Sequence, residues 1–303
     1  MTMTTKTRPR TLTLNNGVAM PVLGFGVFQS PPEETTAAVE TAIADGYRLI
    51  DTAASYDNER EVGAAIRASG IDRAEMFVTT KLWISDYGYD EALRGFDGCL
   101  RRLGLDYVDL FLLHQPVPTD FDRTVAAYEA IEKMLSQGRT RAIGVSNFSE
   151  QHLENLMQRT EVVPAVNQVE LHPFFTQQPL REFHAKHGIA TEAWSPLGGI
   201  QRYRPADPNA VLNALEHPTV TSIGDKYGKT PAQVVLRWHI ENGVVAIPKS
   251  VKLHRIAENI DAFDFELTAD EVTSIDALDT GVRGGPDPEA INLTTYPKRV
   301  END

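Results

Sequence analysis

The chain has 303 residues, of which 42% are hydrophobic and 23% charged, with a net charge of −13. That length fits one large domain or two ordinary ones, with ample apolar material for a core. A body this acidic repels a phosphate backbone, so nucleic-acid binding is disfavoured, and an anionic cofactor would have to meet a local positive site. No run approaches the ~18 apolar residues of a membrane span. The amino terminus is Thr-rich and basic (Lys6, Arg8, Arg10) without the apolar stretch of a secretory signal, and residues 1–10 read as a flexible tail. A cytoplasmic, reducing location is the expectation. The one cysteine, Cys99, cannot form an internal disulfide and reads as a small buried apolar residue.

In chain order, Asn15-Asn16-Gly17 lies between two short apolar segments, 12–14 and 18–20, and reads as a hairpin turn. Strand-type apolar runs then recur at 24–28, 47–51, 76–81, 108–114, 141–145, 165–169, 190–194 and 244–247. Several are nearly continuous in apolar residues, as strands buried on both faces are. Helical patterns separate them at 33–45, 58–69, 89–103, 122–137, 149–159 and 177–187, and a last one covers 269–278. Most of these stop at a glycine: Gly46, Gly70, Gly104, Gly138 or Gly188. Eight strands alternating with helices over roughly 250 residues is the count of a closed (β/α)8 barrel, with the hairpin as a plug on its bottom. The alternative is an open doubly wound sheet, which carries a glycine-rich turn after its first strand. Gly24-Phe-Gly26 has no third glycine, so that fingerprint is incomplete. The expectation is a single barrel domain over 1–303. Two stretches break its rhythm: 200–209, and a carboxy-terminal segment, 281–303, rich in Gly, Pro and charge. Both read as loops over one mouth, with a disordered end as the other reading of the second.

Working residues of such barrels sit at the carboxy ends of strands and in the loops beyond them. Three consecutive strand patterns end on Asp51, Lys81 and His114, and Tyr56 follows Asp51 by five residues. Singly, each has an ordinary reading: helix cap, surface charge, core histidine, loop filler. Together they permit carbonyl reduction. Hydride delivered to carbon leaves an alkoxide that needs a proton, and a tyrosine of pKa about 10 is a poor donor near neutrality. A neighbouring Lys81 ammonium favours tyrosinate and so improves the donor; Asp51 would partner the buried ammonium. His114 would hydrogen-bond the carbonyl oxygen. The four do not make a convincing metal set, and no metal is expected.

The segments Asp51-Thr-Ala-Ala-Ser-Tyr56-Asp-Asn-Glu59, Thr80-Lys81-Leu-Trp83, Leu113-His114-Gln-Pro116, Gly144-Val-Ser146-Asn147-Phe148, Trp194-Ser-Pro-Leu-Gly198 and Ile247-Pro-Lys-Ser250 resemble the aldo-keto reductase superfamily. The likeness runs from about Leu12 to Leu278 and is nearest to the prokaryotic branch that includes 2,5-diketo-D-gluconate reductases. It implies an NADPH-dependent reduction of an aldehyde or ketone, with Tyr56 as general acid, Lys81 and Asp51 as its tuning pair, and His114 orienting the carbonyl. It also implies that Ser146, Asn147 and Gln168 hold the nicotinamide carboxamide, and that Trp194 stands where most members carry a ring-stacking tyrosine. Backbone around Ser195, Leu197 and Gly198 would take the pyrophosphate. Lys249, Ser250, Arg255 and Asn259 would clamp the adenosine end, with Lys252 where relatives often have arginine, a better bidentate phosphate partner. Phe28 and Trp83, with His114 and Phe148, would line an apolar substrate cleft that the carboxy-terminal segment closes through Tyr296 or Arg299.

A sugar keto acid such as 2,5-diketo-D-gluconate, methylglyoxal and an aromatic aldehyde all fit that reading, and a monomer is implied. An NADPH-binding, redox-sensing regulatory subunit is the alternative function, and a metal-dependent barrel hydrolase a third. Two motifs are discounted. Gly144-Val-Ser146-Asn-Phe148 lacks the second glycine of a nucleophile elbow. His184 and His187, three apart on a helical segment, read as a surface pair.

Overall fold

The computed structural model describes residues 11–198 and 213–302. The stretch 200–209, singled out above as a loop, and the first ten residues lie outside them. The predicted hairpin is present: β1 (Thr11–Thr13) pairs antiparallel with β2 (Ala19–Pro21), Leu12 opposite Met20. Asn15 and Asn16 donate to the carbonyls of Pro164 and Arg141 at 3.1 and 2.9 Å.

Eight parallel strands follow: β3 (Phe25–Gly26), β4 (Leu49–Asp51), β5 (Phe77–Leu82), β6 (Val108–Leu113), β7 (Thr140–Ser146), β8 (Val166–Glu170), β9 (Ala190–Trp194) and β10 (Val245–Ala246). Each pairs with its neighbour in sequence, from β3 across to β10. The first and last meet as well: Leu23 bridges Ala246, Gly26 bridges Lys249, and the Gly24 N–H donates to the Ala246 carbonyl at 2.9 Å. The sheet therefore closes on itself as a (β/α)8 barrel. The incomplete Gly24-Phe-Gly26 fingerprint has its explanation at this seam. A Cβ on Gly24 would lie 2.2 Å from Leu49 Cδ2, and one on Gly26 would lie 2.9 Å from the Ile247 carbonyl oxygen. Gly24 makes room for the Leu49 side chain and Gly26 lets the Ile247 backbone approach, so both glycines serve the closure of the barrel.

The barrel interior is an apolar cluster that includes Leu49, Phe77, Leu110, Leu112, Val166 and Val245. Leu14 and Met20 of the hairpin join it, and the two asparagines above bind at the start of β7 and just before β8, so the hairpin plugs the amino-terminal end of the barrel. Burying such side chains stabilises by about 1.5–3 kcal/mol each.

Helices α1 (Pro32–Asp45), α2 (Glu59–Ala68), α3 (Tyr89–Leu103), α4 (Phe121–Ser136), α5 (Glu150–Met157) and α6 (Gln178–His187) fill the crossovers where the sequence placed them. Pro31 and Pro32 open α1, and Gly46, at φ 109°, ends it with its N–H on the Ala42 and Ile43 carbonyls. Beyond β9 come α7 (Pro218–Tyr227), α8 (Pro231–Glu241), α9 (Leu253–Ile260) and α10 (Ala269–Asp276). Helix α8 starts on a reciprocal cap between Thr230 and Gln233. No helix among the described residues is long and apolar enough to cross a membrane.

Candidate active site

The carboxy-terminal ends of β4, β5 and β6 place Asp51, Lys81 and His114 side by side. Asp51 pairs with Thr79 and Lys81 with Leu112, and the His114 N–H donates to the Leu82 carbonyl at 3.1 Å. Tyr56 ends a 3-10 turn, Ala54–Tyr56, in the loop after β4. That loop is fastened by Asn58, which stands just before α2 and not inside it as the periodicity suggested. The wholly buried Asn58 amide donates to the Val27 and Ser30 carbonyls at 3.0 and 3.1 Å and accepts from Thr52 Oγ1 at 2.8 Å.

Lys81 has three ammonium hydrogens and three acceptors: Asp51 Oδ1 at 2.6 Å, the Thr52 carbonyl at 2.9 Å and Tyr56 Oη at 3.4 Å. Its nitrogen also lies 5.0 Å from the centre of the Tyr56 ring. Burial opposes the Lys81 charge, but Asp51, Tyr56 and Glu192 hold its pKa above the ordinary lysine value. Burial pushes the Asp51 carboxyl up while the ammonium and the Gln168 amide pull it back. The 2.6 Å contact and three satisfied N–H bonds mark an ionised pair. Asp51 is thus a partner of Lys81 and not a helix cap.

The His114 ring stands edge-on to Tyr56 at 5.6 Å and to Trp83 at 5.1 Å, with Nδ1 3.4 Å from Ser55 Oγ. Burial, then the Lys81 charge, holds its pKa well below 6.5, so the imidazole is neutral. Burial likewise lowers His184 to about 4 and His239 to about 3. A histidine whose folded pKa is depressed stabilises the fold above its unfolded value and loses that contribution as pH falls through the folded one. Thermal unfolding followed against pH should therefore show Tm falling between pH 6.5 and about 3. A flat Tm over that window would contradict the burial of these rings.

The residues assigned to the nicotinamide lie on the next three strands: Ser146 and Asn147 at the end of β7, Gln168 within β8 and Trp194 at the end of β9. Ser146 Oγ donates to the Gln168 carbonyl at 2.8 Å, and the Asn147 amide donates to the His114 carbonyl and to Ser146 Oγ, each at 3.0 Å. Trp194 Nε1 donates to Asn147 Oδ1 at 2.9 Å. Gln168 Nε2 donates to Asp51 Oδ2 and to Glu192 Oε2, both at 2.8 Å. Glu192 was missed in the sequence reading, although an acid inside an apolar strand pattern was the available signal.

Ser195, at φ 49°, and Gly198 form a tight turn after β9, with the Gly198 N–H on the Ser195 carbonyl at 2.9 Å and Leu197 partly buried against the core. His239 Nε2 lies 3.0 Å from the Pro196 carbonyl oxygen and steadies this turn. Lys249 sits beside β3, its ammonium 3.4 Å from the Gln29 carbonyl oxygen. Ser250 Oγ accepts the Lys252 N–H at 3.0 Å, setting the entry to α9. That helix exposes Arg255 and, one turn on, buries Asn259. Because β10 lies between β9 and β3, these residues share a rim with Asp51 and Tyr56.

Phe28 is exposed, its ring 5.0 Å from that of Tyr56. Phe148 is buried against Phe121 and His152, so it supports the site from behind. The carboxy-terminal segment lies over the mouth, where Lys298 fastens it, and Tyr296 packs against the core. The Lys298 carbonyl accepts Trp83 Nε1 at 2.9 Å, and its ammonium meets the Ser55 carbonyl at 2.6 Å and the Asp57 carboxylate. A second tie joins the Gly284 and Gly285 N–H groups to the buried Glu170 carboxylate at 2.7 and 2.9 Å.

The histidine pair on α6 is not a surface pair. His184 is fully buried, 2.9 Å from Asn167 Nδ2 and 2.8 Å from Thr191 Oγ1, while His187 packs on Phe183. Position 184 belongs to the stripe facing β8 and β9, which the residue type alone does not reveal. Among the described residues no group of three or more His, Cys, Asp or Glu side chains is placed to hold a metal.

A closed (β/α)8 barrel with an ion pair, a tyrosine and a neutral imidazole at the carboxy ends of its strands is the architecture of a barrel enzyme. The sequence profile of the Aldo/keto reductase family matches residues 22–280, and the chain belongs to that family. It is 54% identical to the morphine 6-dehydrogenase of Pseudomonas putida over 290 residues, covering 95% of this chain and 98% of that one. It is 46% identical to the glyoxal reductase of Bacillus subtilis over 282 residues, covering 93% and 97%. Among solved structures, a variant of Gox0644 in complex with NADPH superposes with a TM-score of 0.85 at 42% identity, covering 94% of this chain and 99% of that one.

Proposed function

We propose that the protein reduces an aldehyde or ketone to the alcohol with NADPH as electron donor. It is an oxidoreductase of the aldo/keto reductase family; the proposal concerns the direction, the cofactor and the residues. The observation that carries it is the contact set of Lys81, whose ammonium touches both the Asp51 carboxylate and the Tyr56 hydroxyl. A tyrosine beside a fixed positive charge loses its proton more readily than one in water, which suits it to protonate a developing alkoxide. Asp51 keeps the ammonium charged in a buried place. Neutral His114 donates one ring N–H toward the substrate oxygen and holds it near Tyr56. When bound, NADPH supplies the hydride from nicotinamide C4.

The side chains fit that cofactor. Two side-chain amides and a serine hydroxyl, at Asn147, Gln168 and Ser146, gather beside the Trp194 indole and suit a carboxamide. The turn at Ser195, Leu197 and Gly198 and the cations Lys249 and Arg255, with Ser250 and Asn259, suit phosphate. The proposed substrate cleft lies between Phe28, Trp83 and His114, and small dicarbonyls of the methylglyoxal type are the first class to try. The chain is proposed to act as one domain and as a monomer, in the cytoplasm.

The test is kcat/KM across a carbonyl panel of methylglyoxal, 2,5-diketo-D-gluconate and an aromatic aldehyde, with NADPH and with NADH. Turnover of at least one member with NADPH is expected. No consumption anywhere on the panel would favour the regulatory-subunit reading. Arg255→Ala together with Lys249→Met should raise KM for NADPH by about tenfold or more, the equivalent of one charged contact at about 1.4 kcal/mol, and leave KM for NADH unchanged. Equal effects on the two would remove these residues from the 2'-phosphate.

A further inference from the structure

The mechanism above makes no use of Glu192, a carboxyl with no solvent exposure in the interior of the barrel. It lies on β9 opposite Gln168 of β8, and the two are register partners. One nitrogen, Gln168 Nε2, donates both its hydrogens, to Asp51 Oδ2 and to Glu192 Oε2, each at 2.8 Å. A single N–H···O bond leaves an amide free to turn about that bond. Two bonds from one nitrogen to acceptors on opposite sides fix both its sense and its plane, and neither uses the amide oxygen. The second Glu192 oxygen, Oε1, is buried without a partner among the described residues. An ionised carboxylate bears that poorly, whereas a neutral acid bears it at a lower cost.

We infer that Glu192 is a positioning residue for the reduction: it locks the Gln168 amide between itself and Asp51, so that the amide oxygen is presented to the cofactor. This rests on the reading that Gln168 meets the nicotinamide carboxamide. The charged groups facing Glu192 are Asp51 from β4 and Lys81 from β5; Gln168 on β8 and its β10 partner Val245 do not titrate. Burial first, and then the Asp51 charge, raise its pKa to about 8. At neutral pH the ion pair Asp51–Lys81 is therefore balanced. Above about pH 8, ionised Glu192 adds a second negative charge beside Asp51, which disfavours the negative charge that develops when Tyr56 gives up its proton.

Two variants and two readouts test this: NADPH affinity by quenching of protein fluorescence, and kcat against pH with methylglyoxal. Glu192→Ala frees the amide, and should weaken NADPH binding severalfold and lower kcat by on the order of tenfold. Glu192→Gln keeps a neutral acceptor at the same place, and should recover most of both losses while removing the part of the alkaline decline centred near pH 8. Parental affinity and kcat in a folded Glu192→Ala protein would overturn the proposal. So would a Glu192→Gln protein with the parental pH profile, which remains measurable if the alanine variant does not fold. A Tyr56→Phe control separates the two levels. Full turnover in that control would reject the general acid while leaving the NADPH affinities to judge Glu192.

Discussion

Replacing Tyr56 by phenylalanine is expected to lower kcat by about 10²–10⁴-fold, the range of a lost general acid, while NADPH binds as before. The substitution is close to a pure removal of the hydroxyl. The Tyr56 ring packs on Phe28 at 5.0 Å and on His114 at 5.6 Å, and phenylalanine keeps both contacts. Lys81 loses its longest contact, 3.4 Å, and keeps Asp51 and the Thr52 carbonyl. Unfolding should therefore be unchanged, and single-turnover rates with NADPH and methylglyoxal should isolate the chemical step. A Tyr56→Phe protein reducing aldehydes at the parental rate would move the acid elsewhere.

The second large effect concerns stability as well as rate. Lys81→Met leaves the Asp51 carboxylate buried, with the Gln168 amide as its remaining donor. Breaking a buried ion pair by removing one partner costs about 3–5 kcal/mol, because the other charge is stranded. Urea unfolding should show a loss of that size, and turnover should fall with it. The double variant Asp51→Asn with Lys81→Met strands no charge, so it should unfold at higher urea than Lys81→Met alone and still be inactive. If Lys81→Met unfolds at the parental urea concentration, the pair is not ionised in the folded protein.

The parts legible in sequence were those that chemistry or a strong period marks. Strand ends at Asp51, Lys81 and His114 stood out because a charge or an imidazole closes an otherwise apolar run. Helices α1 to α6 stood out because each has a polar face and all but α5 have a glycine stop signal. Helix α8 did not. Every residue from Ala232 to His239 is buried, so its polar positions Gln233 and Arg237 do not mark a solvent face, and Val234-Val235 looks as much like strand as helix. Strand β10 is two residues long, and the closure of the barrel rests on the seam at Gly24 and Gly26, where the information lies in missing side chains. His184 and Glu192 show the opposite difficulty. A polar type suggests surface, and only the packing of α6 against β8 and β9, or the arrival of Gln168, gives it a buried partner. Lys298 was illegible for a further reason: its contacts with Ser55 and Trp83 join positions more than 200 residues apart.

The central claim is that hydride from the nicotinamide reaches a carbonyl carbon beside Tyr56. It is tested most directly with NADPH deuterated at both positions of nicotinamide C4 and methylglyoxal, or whichever carbonyl of the panel is turned over, followed by mass analysis of the product. One deuterium on the carbinol carbon for each NADPH consumed is the predicted result. Alcohol formed without the label, or NADPH consumed without alcohol, would contradict it.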